Sequence, residues 1–213
     1  MKQCIAICTH RENLKMFNNL LKSIKLLKYP IVIVVNDANN TGEDFIEHNY
    51  KLLEDRGYEL LLNKGDGFEI GALKTVLNNT DYDEILLLQD SCEIKDYGLF
   101  DLVFETKGSV ALTIGYMSYL GKYERIILNR IKIPIVKTKT ESIRQEGQFN
   151  RLYLANCEKF TALFGNFGFT SYKGNRFENK FNRKNLISEN EYIIKRKGIW
   201  AAKMLEYYNG VNL

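Results

Sequence analysis

The chain has 213 residues, 45% of them apolar and 26% charged, with a formal net charge of +4, and we expect one domain over residues 1–213. The small charge excess does not predict nucleic-acid binding, and no apolar stretch approaches the roughly 20 residues that a membrane span needs. Four cysteines without Cys-x-x-Cys spacing and two histidines argue against a zinc site. They predict reduced thiols in a cytoplasmic protein.

Strand-like and helix-like segments alternate over the first 115 residues. Short runs of large apolar or β-branched residues predict strands, and apolar residues spaced three or four apart predict helices between them. This alternation predicts an α/β fold with a mostly parallel central sheet flanked by helices. The predicted strands are 4–8, 31–35, 58–62, 84–89 and 110–114, and the predicted helices are 14–27, 68–78 and 98–104.

The alternation weakens beyond residue 115. Segments 126–131 and 142–164 have a helical pattern, and 199–208 predicts a terminal helix. Residues 165–197 are rich in glycine, asparagine, aromatic and basic residues without a clear period. This basic stretch is interpreted either as a loop that closes over a bound anion or as an ordinary solvated face.

The most informative stretch is 84–93, an apolar run that ends abruptly in an acid, Asp90. Such a run is typical of a strand buried on both faces of a parallel sheet. In open α/β sheets, ligands bind beyond the carboxyl ends of the strands. We therefore expect the Asp90 carboxylate to face a binding crevice.

Polar residues also follow the other predicted strands of the first half. Because parallel strands end at the same edge of a sheet, these residues are expected to converge with Asp90. Carboxylates there can hold a base, a ribose or a divalent ion, and basic groups and helix-start N–H groups can hold phosphate. For any one residue, a plain strand end remains the alternative. The residues are Thr9, His10 and Arg11, then Asn36 and Asp37, and then the segment 63–67.

Four segments carry a resemblance to a known family. They are Cys-Ile-Ala-Ile-Cys-Thr-His-Arg at 4–11, Val-Val-Asn-Asp at 34–37, Asn-Lys-Gly-Asp-Gly-Phe-Glu-Ile-Gly-Ala at 63–72 and Leu-Leu-Leu-Gln-Asp-Ser-Cys-Glu at 86–93. In this order they are similar to the first strand, the acidic end of the second strand, the Asn-x-Gly segment and the Asp-x-Asp region of nucleotide-sugar glycosyltransferases with the GT-A fold. The resemblance covers about residues 3 to 115.

The resemblance implies a transferase that moves a hexose from a UDP-sugar to a hydroxyl of a glycan or glycoprotein acceptor. Residues 1–115 would form the nucleotide-sugar-binding half, and 116–213 the acceptor side with a closing carboxyl-terminal segment. Asp90 would hold Mn²⁺ or Mg²⁺ against the diphosphate. The implied nucleotide-sugar-binding residues are Thr9, His10, Arg11, Asp37, Gly67, Gly71, Gln89, Asp90 and Ser91.

Two further implications of the resemblance are less specific. An inverting reaction would need a carboxylate base near the acceptor, for which Glu141 and Glu146 are candidates by position. The short chain also resembles the amino-terminal domain of a larger enzyme, for instance a chlorella-virus capsid-glycan transferase.

The sequence departs from the family pattern at the metal motif. Cys92 stands where the second acid of Asp-x-Asp belongs, and Glu93 lies one residue later. Asp90 alone, with water and phosphate, can still hold Mg²⁺. A literal Asp-x-Asp occurs at 81–83, but it precedes the strand, so we expect it at the opposite edge of the sheet as a turn.

Other functions remain open from the sequence. The glycines at 65, 67 and 71 resemble the cofactor loop of short-chain dehydrogenases, but they follow the third strand rather than the first, and no tyrosine has a lysine four residues on. A nucleotidyltransferase would share the sheet and metal, although Thr-His-Arg-Glu at 9–12 is not a triphosphate loop. A non-catalytic domain that binds sugar nucleotides is the third alternative, because the second acid is missing.

Overall fold

The computed structural model describes ten segments of the chain, in some of which only the backbone is described. They are 1–10, 14–24, 28–37, 53, 56–64, 67–113, 120–136, 139–164, 178–182 and 185–196. The predicted terminal helix at 199–208 lies outside them.

A mixed, mostly parallel sheet of seven strands forms the centre of the protein. Its order is β3-β2-β1-β4-β7-β6-β8, in which β3, β2, β1 and β4 are mutually parallel and β7 runs antiparallel to β4 and β6. The strands are β1 (Gln3–His10), β2 (Ile31–Asp37), β3 (Glu59–Lys64), β4 (Glu84–Gln89), β6 (Ser109–Thr113), β7 (Gly121–Glu124) and β8 (Phe160–Phe164).

A second sheet begins directly after Asp90. The short strand β5 (Cys92–Ile94) pairs antiparallel with β11 (Ile193–Arg196), which continues to β10 (Asn185–Glu189) and β9 (Glu178–Asn182). The backbone N–H of Ile94 donates to Ser23 Oγ at 2.9 Å, which ties β5 to the helix after β1. The carboxyl end of β4 therefore lies where the two sheets meet.

Helices cover both faces of the central sheet, because its inner strands are apolar on both sides. One apolar cluster includes Phe17, Leu20 and Phe100, and the other includes Ile70, Leu73 and Tyr153. The helices in the described segments are α1 (Leu14–Ser23), α2 (Phe68–Asn79), α3 (Gly98–Glu105), α4 (Arg125–Arg130) and α5 (Lys139–Ala155).

A buried ion pair joins β4 to β7 at the amino end of β4. Lys122 Nζ donates to Glu84 Oε1 at 2.8 Å and to the Thr106 carbonyl oxygen at 2.7 Å. Gln3 Nε2 donates to the other oxygen of Glu84 at 2.6 Å. The side chains of Lys122 and Glu84 are only 0% and 5% exposed, so each charge is compensated by its neighbours rather than by water.

The predicted fold class is confirmed, and the errors concern the end of one helix and three short strands. The helical prediction for 142–164 is wrong over its last residues: α5 ends at Ala155, and Phe160–Phe164 is strand β8, paired in parallel with β6. The sequence Phe-Thr-Ala-Leu-Phe is rich in strand-forming residues, and pairing with β6 decides its conformation. Strands β5 and β7, of three and four residues, were not predicted because runs this short carry no clear period.

Candidate functional site

The candidate site lies where the strand order of the sheet reverses. Strand β1 is flanked by β2 on one side and by β4 on the other, because the chain runs from β1 to β2 and β3 and then crosses back to β4. Doubly wound sheets bind ligands outside the carboxyl ends of the strands at such a switch point. The described polar residues that converge there are Thr9, His10, Asn36, Asn63, Gln89, Asp90 and Ser91.

Asp90 is held by the end of strand β1. Its Oδ2 accepts from Thr9 Oγ1 at 3.0 Å and from the backbone N–H of His10 at 3.3 Å. Its own backbone N–H donates to the carbonyl oxygen of Cys8 at 3.0 Å. Because Asp90 is only 5% exposed, these bonds hold its carboxylate at the carboxyl edge of the sheet. That this carboxylate faces a ligand stays a prediction.

A row of side-chain amides continues the site across β2 and β3. Asn63 Nδ2 donates to Asn36 Oδ1 at 2.6 Å. Asn36 Nδ2 in turn donates to Cys8 Sγ at 3.0 Å and to the Thr9 carbonyl oxygen at 3.3 Å. Both ends of the buried Asn36 amide are thus engaged within the protein, so this side chain stiffens the ends of β1 and β2.

Glu69 was not predicted as a site residue, yet it lies beside the end of β4. Its carboxylate accepts from Gln89 Nε2, and Gln89 Oε1 is 3.4 Å from the Ser91 hydroxyl that donates to it. A carboxylate only accepts hydrogen bonds, so the amide nitrogen of Gln89 must face Glu69. The sequence places Glu69 in the first turn of a helix, where an acid usually faces solvent, and only the packing of α2 on β4 buries it.

Gly67 and Gly71 allow the start of α2 to approach β3 closely. A Cβ at Gly71 would overlap the Asn63 amide, and one at Gly67 would lie 2.7 Å from the Gly71 Cα. Close packing on Asn63 and within the first turn of α2 therefore accounts for both glycines. A contact of either glycine with a nucleotide stays a prediction.

Position 92 is part of the core rather than of the site. The Cys92 side chain is 2% exposed and packs in the apolar cluster that contains Ile94 and Phe100. An acid at this position would be buried among apolar groups, which explains why the Asp-x-Asp pattern is broken here. Within the described residues, no group of three or more His, Cys, Asp or Glu side chains is arranged to hold a metal ion.

The literal Asp-x-Asp lies at the opposite edge of the sheet, as predicted. Asp83 Oδ2 accepts from the backbone N–H of Lys2 at 2.8 Å, and Asp81 pairs with the Lys2 ammonium. The hydrogen bond from Lys2 lowers the pKa of Asp81. Both acids thus stabilise the turn before β4.

Two of the predicted binding residues are not fully described. Arg11 lies outside the described residues. For Asp37 only the backbone is described, and it ends strand β2 beside Lys64, at the same edge of the sheet as Asp90. Glu141 is exposed on α5, and Glu146 is half-buried on the same helix.

Solved structures share this fold. A mannosyltransferase from Pyrobaculum calidifontis in complex with GDP-Man and Mn²⁺ gives a TM-score of 0.55 at 12% identity, with 76% of this chain and 54% of that chain covered. S. aureus TarS 1-349 in complex with UDP gives a TM-score of 0.52 at 13% identity, with 75% and 57% covered. The same TarS fragment in complex with UDP-GlcNAc gives a TM-score of 0.51 at 13% identity, with 75% and 55% covered.

No protein-family profile and no curated protein sequence matches the chain. At identities this low, the likeness to the solved structures shows the fold, which is the GT-A fold of glycosyltransferases. This chain spans a little more than half the length of those structures. The resemblance to a chlorella-virus transferase stays a prediction. No helix in the described part of the chain is long and apolar enough to cross a membrane.

Proposed function

We propose that the protein is a glycosyltransferase that takes a hexose from a UDP-sugar and transfers it to a hydroxyl of a glycan or glycoprotein acceptor. The observation that carries the proposal is the buried Asp90 carboxylate, fixed by Thr9 and His10 at the switch point of a GT-A sheet. Further support comes from the ligands of the proteins with the same fold, which are UDP, UDP-GlcNAc and GDP-Man.

A divalent ion fits this site only when it is shared with the diphosphate. Asp90 is the carboxylate of the switch point, with the hydroxyls of Thr9 and Ser91 nearby, and the other described carboxylate at the end of β4, Glu69, is engaged by Gln89. No group of three or more His, Cys, Asp or Glu side chains among the described residues could form an all-protein cage. Mg²⁺ is typically bound by one or two carboxylates together with substrate phosphates and water. Asp90 would hold the ion, which when bound would supply Lewis-acid neutralisation of charge on the diphosphate.

The chain's own residues would orient the donor. Thr9 and the amide of His10 hold the Asp90 carboxylate in one position, so the diphosphate would bind in one orientation. An acceptor hydroxyl then attacks the anomeric carbon of the sugar. The new glycosidic C–O bond forms as the C–O bond to the diphosphate breaks, and UDP leaves with the bonding electron pair. In an inverting reaction the hydroxyl proton would pass to a carboxylate base, for which Glu146 and Glu141 on α5 are the candidates by position.

The proposal is tested by the thermal stability of the protein with UDP, GDP or CMP, each with and without Mn²⁺. Stabilisation by UDP that requires Mn²⁺ is expected, because a ligand that binds the folded state raises its stability by mass action. Asp90→Ala is expected to remove this stabilisation. The matched control is Asp83→Ala, which deletes an acid at the other edge of the same sheet and should keep the full effect. An Asp90→Ala protein with undiminished Mn²⁺-dependent UDP binding would remove Asp90 from this role.

A non-catalytic sugar-nucleotide-binding domain is the second candidate. The burial of Cys92 favours it, because the second acid of the metal motif is replaced by a core residue. The two candidates differ in turnover. A transferase is expected to hydrolyse its UDP-sugar donor slowly when no acceptor is present, whereas a binding domain is expected to leave the donor intact. A hydrolysis assay across UDP-sugars would therefore separate them and would also identify the donor.

A further inference from the structure

Phe68, the first residue of α2, has a backbone conformation that is costly for its side chain. Its φ is +43°, and among the described residues it is the one non-glycine residue with positive φ. L-residues with bulky side chains rarely adopt this region, because Cβ then approaches the backbone too closely. A glycine at position 68, like those at positions 65 and 67, would adopt this φ at no steric cost. Residues in strained backbone conformations cluster at functional sites, which points to a role for the Phe68 ring.

The Phe68 ring is aligned with the imidazole of His10 beside the candidate site. The two ring planes differ by 8°, and their centroids are 6.1 Å apart, within the range of stacked aromatic pairs. Both side chains are half-buried. The backbone N–H of His10 donates to Asp90, so the aromatic pair adjoins the carboxylate at the switch point.

The spacing of the rings decides how a third ring could bind. Insertion between the two faces would need roughly 7 Å, because each face-to-face contact takes roughly 3.5 Å. The centroid separation of 6.1 Å is smaller than this. A flat ligand would therefore stack on the outward side of the pair, parallel to both rings.

The charges nearby favour an uncharged ligand group next to the two rings. Glu69 follows Phe68 in the first turn of α2, and Asp90 accepts a hydrogen bond from the backbone N–H of His10. Both are buried carboxylates, so a phosphate beside the rings would need a cation to compensate the charge, whereas a neutral ring would not. A neutral, planar heteroaromatic ring satisfies both the shape of the pair and these charges.

We propose that Phe68 and His10 form a stacking platform for the nucleobase of the donor, and that the left-handed backbone at Phe68 orients its ring for this contact. The inference rests on the proposed function and adds Phe68 as a binding residue that the sequence did not indicate. Phe68 would act on base affinity, and the diphosphate would be held elsewhere, at Asp90.

The test compares a ligand that carries a base with one that does not. Binding of UDP and of inorganic pyrophosphate, both with Mn²⁺, is measured by calorimetry for the wild type, Phe68→Gly and Phe68→Leu. Phe68→Gly removes the ring and relieves the backbone, whereas Phe68→Leu removes the ring and keeps an apolar side chain. Phe160→Leu is the matched control, since it replaces a partly exposed phenylalanine at the far end of β8.

Both Phe68 variants are expected to bind UDP about 5- to 150-fold more weakly, the range measured for loss of one base–aromatic stack. Pyrophosphate affinity should stay within about twofold of wild type, and Phe160→Leu should change neither ligand. Since UDP has no hexose, a selective loss of UDP affinity also excludes stacking of the sugar.

Unchanged UDP affinity in both Phe68 variants would overturn the platform and leave the proposed function standing. An equal loss for UDP and pyrophosphate would also overturn it, because the ring would then support the whole site rather than the base. A wild-type protein that binds no nucleoside diphosphate would refute the proposed function and this inference together.

Discussion

The buried ion pair between Glu84 and Lys122 yields a sharp stability prediction. Lys122→Met keeps much of the length of the lysine side chain but removes its charge. The Glu84 carboxylate then stays buried, with its side chain 5% exposed. Of the Gln3 and Lys122 side chains that donate to it, Gln3 remains. Breaking one side of a buried pair typically costs about 3–5 kcal/mol, because the remaining charge is desolvated and uncompensated. For a chain of this size that loss corresponds to a fall in Tm of roughly 6–20 °C.

The assay is urea unfolding followed by circular dichroism, with Lys122→Met compared to the double variant Lys122→Met/Glu84→Leu. The double variant should recover more than half of the lost free energy, since apolar replacement of a whole buried pair is often neutral or stabilising. Lys2→Met is the control, because Lys2 pairs with Asp81 at the same sheet edge in full contact with water, and no measurable change is expected. A loss below about 1 kcal/mol in Lys122→Met, or no recovery in the double variant, would refute the reasoning.

Further predictions concern two tyrosine hydroxyls, two glycines and two thiols. The Tyr123 hydroxyl is buried and has no hydrogen-bond partner among the described residues, so Tyr123→Phe should raise the free energy of unfolding by about 1–3 kcal/mol in urea titrations. Tyr153→Phe should lower it by a similar amount, because its hydroxyl bonds Ser109 Oγ at 2.9 Å and accepts from the Glu124 N–H at 2.8 Å; equal effects of the two variants would contradict this. Gly71→Ala should lower the free energy of unfolding by about 1–3 kcal/mol, because the new Cβ would overlap Asn63. Gly147→Ala should raise it by up to about 1 kcal/mol, because nothing lies within 4 Å of the new Cβ and alanine favours a helix more than glycine does. Burial raises the pKa of both the Cys4 and the Cys157 thiols, but Cys4 is fully buried and Cys157 only half-buried. Iodoacetamide at mildly alkaline pH should therefore modify Cys157 before Cys4, with mass spectrometry of the native protein as the readout.

Most elements of the first half of the fold could be predicted from local sequence patterns. The strands at 84–89 and 31–35 are continuous apolar runs that only a doubly covered sheet can bury, and the structure has them as β4 and β2. The apolar spacing of α1 likewise identifies its buried face, with Phe17, Leu20 and Leu21 in the core. These patterns are local, so they can be read without knowing which strand lies next to which.

Three short strands could not be predicted in the same way. Strands β5, β7 and β8 have three to five residues, and each becomes a strand by pairing with a segment distant in the sequence. Strand conformation depends on cross-strand neighbours more than on intrinsic preference. The helical pattern of 142–164 therefore extended wrongly into β8.

The sequence by itself determined that Asp90 follows a buried strand and that Asp81 and Asp83 precede it, so Asp90 lies at the carboxyl edge of the sheet and the other two at the opposite edge, because parallel strands all end on one side. Only the tertiary structure decided what surrounds that carboxylate. Thr9 reaches Asp90 across 81 positions of sequence, and Gln89 meets Glu69 across 20. Such contacts are set by strand order and register, which arise from the packing of the whole sheet and leave no trace in any short segment.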